Sequence, residues 1–167
     1  MPTIGTAIEA DFSILDSVRE RVQEIKDTIY PSLKAAINSN ADLLKEIQTQ
    51  KQFYDRGQNS GGISITPSYA AKTIKIKTKK GQPTDRVTLN DTGDYYESIT
   101  FSGTDTEMII TATVDYASYL SSRYGTLSNT SGTDILGIQD MEFLEFYNQY
   151  IAPELTNNIN KIIETGI

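Results

Sequence analysis

The sequence has no cysteine and no histidine. The first absence excludes a disulfide framework and thiolate zinc sites. Together the two remove the nucleophile–base pairs built on Cys or His and the commonest transition-metal ligands. Only carboxylate, lysine and tyrosine chemistry is left, and no cofactor is expected. Long apolar runs are missing as well: none approaches the roughly 20 residues that span a bilayer, so no membrane segment is expected. Residues Met1 to Ala10 lack the basic flank and apolar stretch of a signal peptide. The expectation is a chain made and used inside a cell, or in something assembled there.

What is present suits one globular unit. A length of 167 residues allows a single domain, 1–167, with a real core. The net charge of -7 conceals a partition. Residues 1–66 carry 7 basic and 9 acidic side chains, residues 67–86 carry 6 and 1, and residues 87–167 carry 2 and 12. A basic segment inside an acidic chain can grip a polyanion or meet an acidic face of a neighbouring copy.

The stretch from Val87 to Phe101 organises the rest. An apolar pair, Val87 and Leu89, leads through the turn residues Asn90 to Gly93 into Tyr95, Glu97, Ile99 and Phe101. Asp91 or Thr92 can cap the backbone downstream and Gly93 can turn without a Cβ clash, which predicts a short helical turn feeding a strand. An ordinary loop before a hairpin is the competing reading. Ser102 to Asp105 then reads as a hairpin turn. Beyond it Met108, Ile110, Ala112 and Val114 alternate on one face of a second strand.

Helices flank this centre. Residues 1–12 read as an arm. Leu15, Val18, Val22, Ile25 and Ile29 recur at intervals of three and four, the stripe of an amphipathic helix. Pro31 predicts a kink or restart before Leu33, Ala36 and Ile37. A second helix over 41–54, capped by Asn40 or Asn38, would turn Leu43, Leu44, Ile47 and Tyr54 inward. The glycine-rich segment 56–66 reads as a flexible connection, without P-loop spacing. Thr66-Pro67 predicts a helix start, with Ile65 as a staple, although Thr73 to Lys79 also alternates like a strand. Polar residues 126–134 read as a loop ordered by assembly. A closing helix from about Gln139 would bury Met141, Leu144, Tyr147 or Asn148, Ile151 and Leu155, with a bend at Pro153. The fold class expected is α+β: long N-terminal helices and a C-terminal helix packed on a small antiparallel β-sheet.

Candidate contact residues follow from charge. Lys72, Lys75, Lys77, Lys79, Lys80 and Arg86, with Arg123 and Tyr124, are candidates for a subunit or partner interface, and segment 72–86 alone could serve a small DNA-binding module. A solvated face is the plain alternative for these lysines. Two carboxylate pairs, Asp91 with Asp94 and Asp105 with Glu107, have the chemistry of acid–base catalysis or magnesium binding. Acidic residues at turns are usually just solvated, and no enzyme is expected.

The order of features resembles a family. A glycine-rich loop precedes Pro67-Ser68-Tyr69-Ala70-Ala71-Lys72-Thr73, then come Leu89, Thr92, Gly93, Ser98 and Ile99 in a Leu-x-x-Thr-Gly-x-x-x-x-Ser-Ile pattern. Tyr116-Ala117, Tyr124-Gly125 and Ile135-Leu136-Gly137-Ile138 follow. Over residues 54–160 this is similar to the tail-completion and virion-morphogenesis proteins of tailed bacteriophages. Tyr119-Leu120 and Asp134 stand where many relatives carry a histidine and an arginine. The resemblance implies a structural virion protein of the neck or head–tail joint. It would be assembled in the bacterial host cytoplasm as a homo-oligomeric ring of about six or twelve copies. Portal or adaptor and tail proteins would be its partners, and double-stranded DNA would pass through without sequence-specific binding. Asp94, Glu97, Asp105 and Glu107 would then line the channel or a subunit face.

Overall fold

The computed structural model describes residues 13–125 and 134–164. The expected arm and most of the 126–134 loop therefore lie outside the described residues. The fold is α+β. In chain order it comprises α1 (Ser13–Ser39), α2 (Ala41–Glu46) running into a π-helical segment (Ile47–Arg56), α3 (Ala71–Lys79) and α4 (Asp94–Ser98). Strands β1 (Ile99–Gly103) and β2 (Met108–Ala112) follow, then α5 (Ala117–Tyr124), α6 (Asp140–Phe146), a second π-helical segment (Tyr147–Ile151) and α7 (Ala152–Glu164).

The hairpin is antiparallel, with Phe101 opposite Ile110 and Gly103 opposite Met108. Its turn falls at Thr104 to Glu107, slightly past the predicted position. There Thr104 N–H donates to the Glu107 carbonyl at 2.8 Å. Ile99 and Phe101 point into the core, and Met108, Ile110 and Ala112 are half-buried, as the alternation requires. The hairpin packs on α1 and α2, and α7 lies along α1. Gly103 is needed at the first of these contacts, because a Cβ would sit 3.0 Å from Lys34 Cα. Leu44, Phe53, Ile99, Ile135, Phe146 and Ile151 form the driest part of the core. Phe53 stacks on Tyr95 with ring centres 6.5 Å apart.

Val87 to Phe101 folds as a short helical turn feeding a strand. Gly93 supplies a φ of 103°, a region open to glycine. The capping prediction needs correcting. Neither Asp91 nor Thr92 caps α4: Asp91 pairs with Lys80, and Thr92 Oγ1 donates to Asp94 at 2.7 Å. Tyr95 and Glu97 belong to α4, so the strand begins only at Ile99.

Other expectations are also corrected. Helix α1 passes through Pro31 without a restart. Pro31 and Asp27, whose carbonyl loses its helical donor there, are both on the exposed side, where water can satisfy the orphan. Asn40 does not cap α2; its amide donates back to the Ala36 carbonyl at 2.8 Å, while Asn38 accepts from Gly103 N–H at 2.8 Å. The wider π turn after Ile47 brings Gln48, Gln52 and Phe53 inward and leaves Leu43 and Tyr54 half-buried. Segment 56–66 is tied down: Asn59 N–H donates to the Ile63 carbonyl, Ser60 N–H to the Asp134 carbonyl and Ile65 N–H to the Gly57 carbonyl. Helix α3 starts at Ala71, four residues beyond the predicted Pro67, because Tyr69 is used as an anchor with its hydroxyl accepting from Thr88 N–H at 2.8 Å. The helix closes with Gln82 N–H on the Lys77 carbonyl and Gly81 N–H on the Thr78 carbonyl, a Schellman ending.

The inner face of the closing helices differs most from expectation. Ile151 is buried as expected, but Met141 and Leu144 are exposed, and Glu142 and Phe146 are buried in their place. The aromatic row Phe143, Phe146 and Tyr150 sets this face, with ring centres 6.1 Å and 5.3 Å apart. Glu142 is held by Arg56 and, at 3.9 Å, by Lys51. The second π segment sits directly before Pro153, where the hydrogen-bond ladder is already interrupted.

Candidate functional site

Thr88, fully buried, is the hub of the central stretch. Its N–H donates to Tyr69, its carbonyl accepts from the Tyr96 hydroxyl, and its Oγ1 lies 3.4 Å from Lys77 Nζ. Lys77 also donates to the Asn90 carbonyl and, at 3.1 Å, to Gln82 Oε1, and its ammonium sits 4.9 Å from the Tyr69 ring centre. Between the fixed Thr88 and the fixed Asn90, Leu89 takes a φ of 56°, which a non-glycine residue adopts only when its surroundings hold it there.

An open cleft of about 550 Å³ lies beside this hub, between α3 (Thr73, Ile76), the 89–94 turn and α5 (Leu120, Tyr124). Burial, with smaller effects from Asp134 and Tyr116, pushes the Tyr95 phenol well above its usual range, and its hydroxyl makes no hydrogen bond. Burial, followed by Tyr69, does the same to Tyr96. Partial burial and then the nearby Asp94 and Asp91 carboxylates raise Tyr116. These phenols are neutral at physiological pH and can act as hydrogen-bond donors. The three donors of Lys77 are already taken, so the cleft offers little to an anion. Among the described residues no group of three or more carboxylates is placed to hold a metal ion.

The predicted basic interface divides. Lys77 and Arg86 are used internally, which corrects their reading as contact residues, whereas Lys80 is exposed. Lys77 is only 3% exposed because its ammonium fastens α3 to the 88–90 backbone. Lys80 pairs with Asp91, and Arg86 donates to the Tyr54 carbonyl and pairs with Asp85. Lys72, Lys75 and Lys79 remain exposed on the outer side of α3. Arg123 is exposed beside Tyr124, with its guanidinium 5.4 Å from the ring centre. A hydrogen bond to Tyr124, then the charge of Tyr119, raises its pKa.

The four predicted channel carboxylates are all exposed but are not brought together. Asp94 and Glu97 lie on α4, just before β1, and Asp105 and Glu107 in the turn beyond it, about 16 Å away along a five-residue strand. Asp105 pairs with Lys34 at 2.9 Å.

Sequence reasoning missed two exposed apolar patches. Leu15, Val18 and Val22 are 61%, 52% and 48% exposed along α1, and Met141 and Leu144 are 77% and 57% exposed on α6. The stripe in α1 extends beyond what α7 covers, which was the available signal. The aromatic row of α6 was the signal that Met141 and Leu144 face outward. Set against known protein families, characterised proteins and solved structures, the chain matches none of them.

Proposed function

We propose that this chain is a structural subunit of a tailed-bacteriophage virion, forming a homo-oligomeric ring at the neck or head–tail joint through which DNA passes. The observation that carries this reading is the apolar surface along α1 and α6 that the described residues of a single copy leave exposed. Folded monomers rarely leave such stripes uncovered, and exposed apolar stripes of this kind mark sites of association with another chain. The charge partition supports it further, because complementary surfaces steer association and fix register. Portal or adaptor and tail proteins are the proposed partners, and shape and separated charge replace bond-making chemistry. Labelling a tagged chain in purified particles tests this: the label is expected at the head–tail joint, and a chain missing from finished particles would overturn the reading.

A DNA-binding module on segment 72–86 is the second reading, favoured by the exposed row Lys72, Lys75 and Lys79. It is weaker because Lys77 and Arg86 are spent inside the fold. Three phosphate contacts would lower log K with log salt at a slope of about -3, which a titration against duplex DNA measures.

A further inference from the structure

The stripe on α1 has the alternating three-and-four spacing of a helix-pairing seam, through Leu15, Val18, Val22, Ile25 and Ile29. Ile25 and Ile29 are half-buried, and exposure grows from Val22 to Val18 to Leu15. Among the described residues nothing covers the seam on the first turns of α1. On α6, Met141 and Leu144 stand three apart on one face. Beside Met141 a groove of about 420 Å³ is lined by Gly61, Gly62 and Arg56, the last paired with Glu142.

The flanking charges decide what can cover each patch. Arg19, Arg21 and Lys26 border the α1 seam, while Glu20, Glu24 and Asp27 lie away from it. Two α1 helices laid on one another, in either direction, would set these basic flanks against each other, which is unfavourable. The α6 patch has the opposite sign, with exposed Asp140 and Glu145 on either side of Met141 and Leu144. Among the described residues neither of these acids makes an ion pair, nor do Arg21 and Lys26. Arg19 has only an exposed contact with Asp16 at 3.6 Å, which is easily exchanged.

We propose that the α1 seam of one copy docks on the α6 patch of a second copy, with Leu15, Val18 and Val22 covering Met141 and Leu144 while the basic flanks face Asp140 and Glu145. Because the two patches are different surfaces, the contact is head-to-tail. Repeating it closes a ring or extends a filament, whereas a self-complementary patch would stop at a dimer. The inference rests on the ring reading above and supplies its faces.

The chain has no cysteine, so single thiols can map the contact. Val18→Cys and Leu144→Cys chains are mixed at high micromolar concentration and treated with a short bismaleimide. The expected product is a mixed covalent dimer, roughly tenfold or more above either variant alone. Reversing Arg19, Arg21 and Lys26 to Glu should abolish it, and Asp140→Lys with Glu145→Lys on the other chain should restore it. Cross-links from Val18→Cys alone, or none in the mixture, would overturn the proposal. A chain that cross-links as expected yet is absent from particles keeps the contact and removes the neck reading. A ring located at the neck without these cross-links does the reverse.

Discussion

Tyr95 and Tyr96 are neighbours in sequence, and both phenols are withdrawn from water, but only one has a hydrogen-bond partner. The Tyr96 hydroxyl donates to the carbonyl of Thr88, a residue with no exposed surface. Tyr96→Phe leaves that carbonyl without its donor and should cost about 1–3 kcal/mol. The Tyr95 hydroxyl is buried with no partner. Its desolvation already weighs against the fold, so Tyr95→Phe should be neutral or stabilise by up to about 1 kcal/mol. The two substitutions remove the same atom one residue apart and should differ by about 2 kcal/mol, which is roughly 4–8 °C in Tm for a chain of this size. Urea unfolding at pH 7, followed by circular dichroism with an unchanged m-value, reads the difference. Equal shifts, or a costlier Tyr95→Phe, would refute the hydrogen-bond accounting around Thr88.

The same tyrosines set an alkaline limit. Both have folded pKa values above the ordinary value of about 10, so above pH 10 the unfolded chain binds fewer protons than the folded one. The stability is present in full below that pH and is lost as pH climbs toward the folded values, at up to about 1.4 kcal/mol per unit for each tyrosine. Replacing both with Phe should flatten the profile of unfolding midpoints between pH 9 and 11. Lys77→Met should cost about 2 kcal/mol by removing donors to Asn90 and Gln82, while Lys75→Met on the outer face of α3 should stay within about 0.5 kcal/mol; parallel thermal melts separate the two. Gly103→Ala should destabilise by about 1–3 kcal/mol, because its Cβ meets the α1 backbone at Lys34.

Elements with a strong period were readable in advance. The alternation of Met108, Ile110 and Ala112 gave the second strand, and the apolar spacing in α1 and the Gly93 turn gave a helix and a helix-to-strand junction. Features that depend on a distant partner were not readable. Lys77 looks like its exposed neighbours Lys75 and Lys79 until Thr88 and Asn90, eleven and thirteen residues on, are folded against it. Gln48 and Gln52 read as surface residues in a helix of ordinary pitch. The π turn brings them inside, where their amides donate to the Ile135 and Gly137 carbonyls at 3.1 and 2.8 Å. Met141 and Leu144 were assigned inward on hydropathy alone, but the Arg56–Glu142 pair and the aromatic row of α6 turn them out. Those outward-facing residues are the surface on which the candidate site now rests.

The central claim is that a single copy is incomplete and covers its apolar stripes with further copies. Sedimentation velocity across the micromolar range tests it most directly. The account predicts a mass that climbs with concentration from 18.5 kDa to multiples of it, and a Val18→Asp chain that stays at the single-copy mass. A wild-type chain that sediments as one copy at every concentration would contradict it.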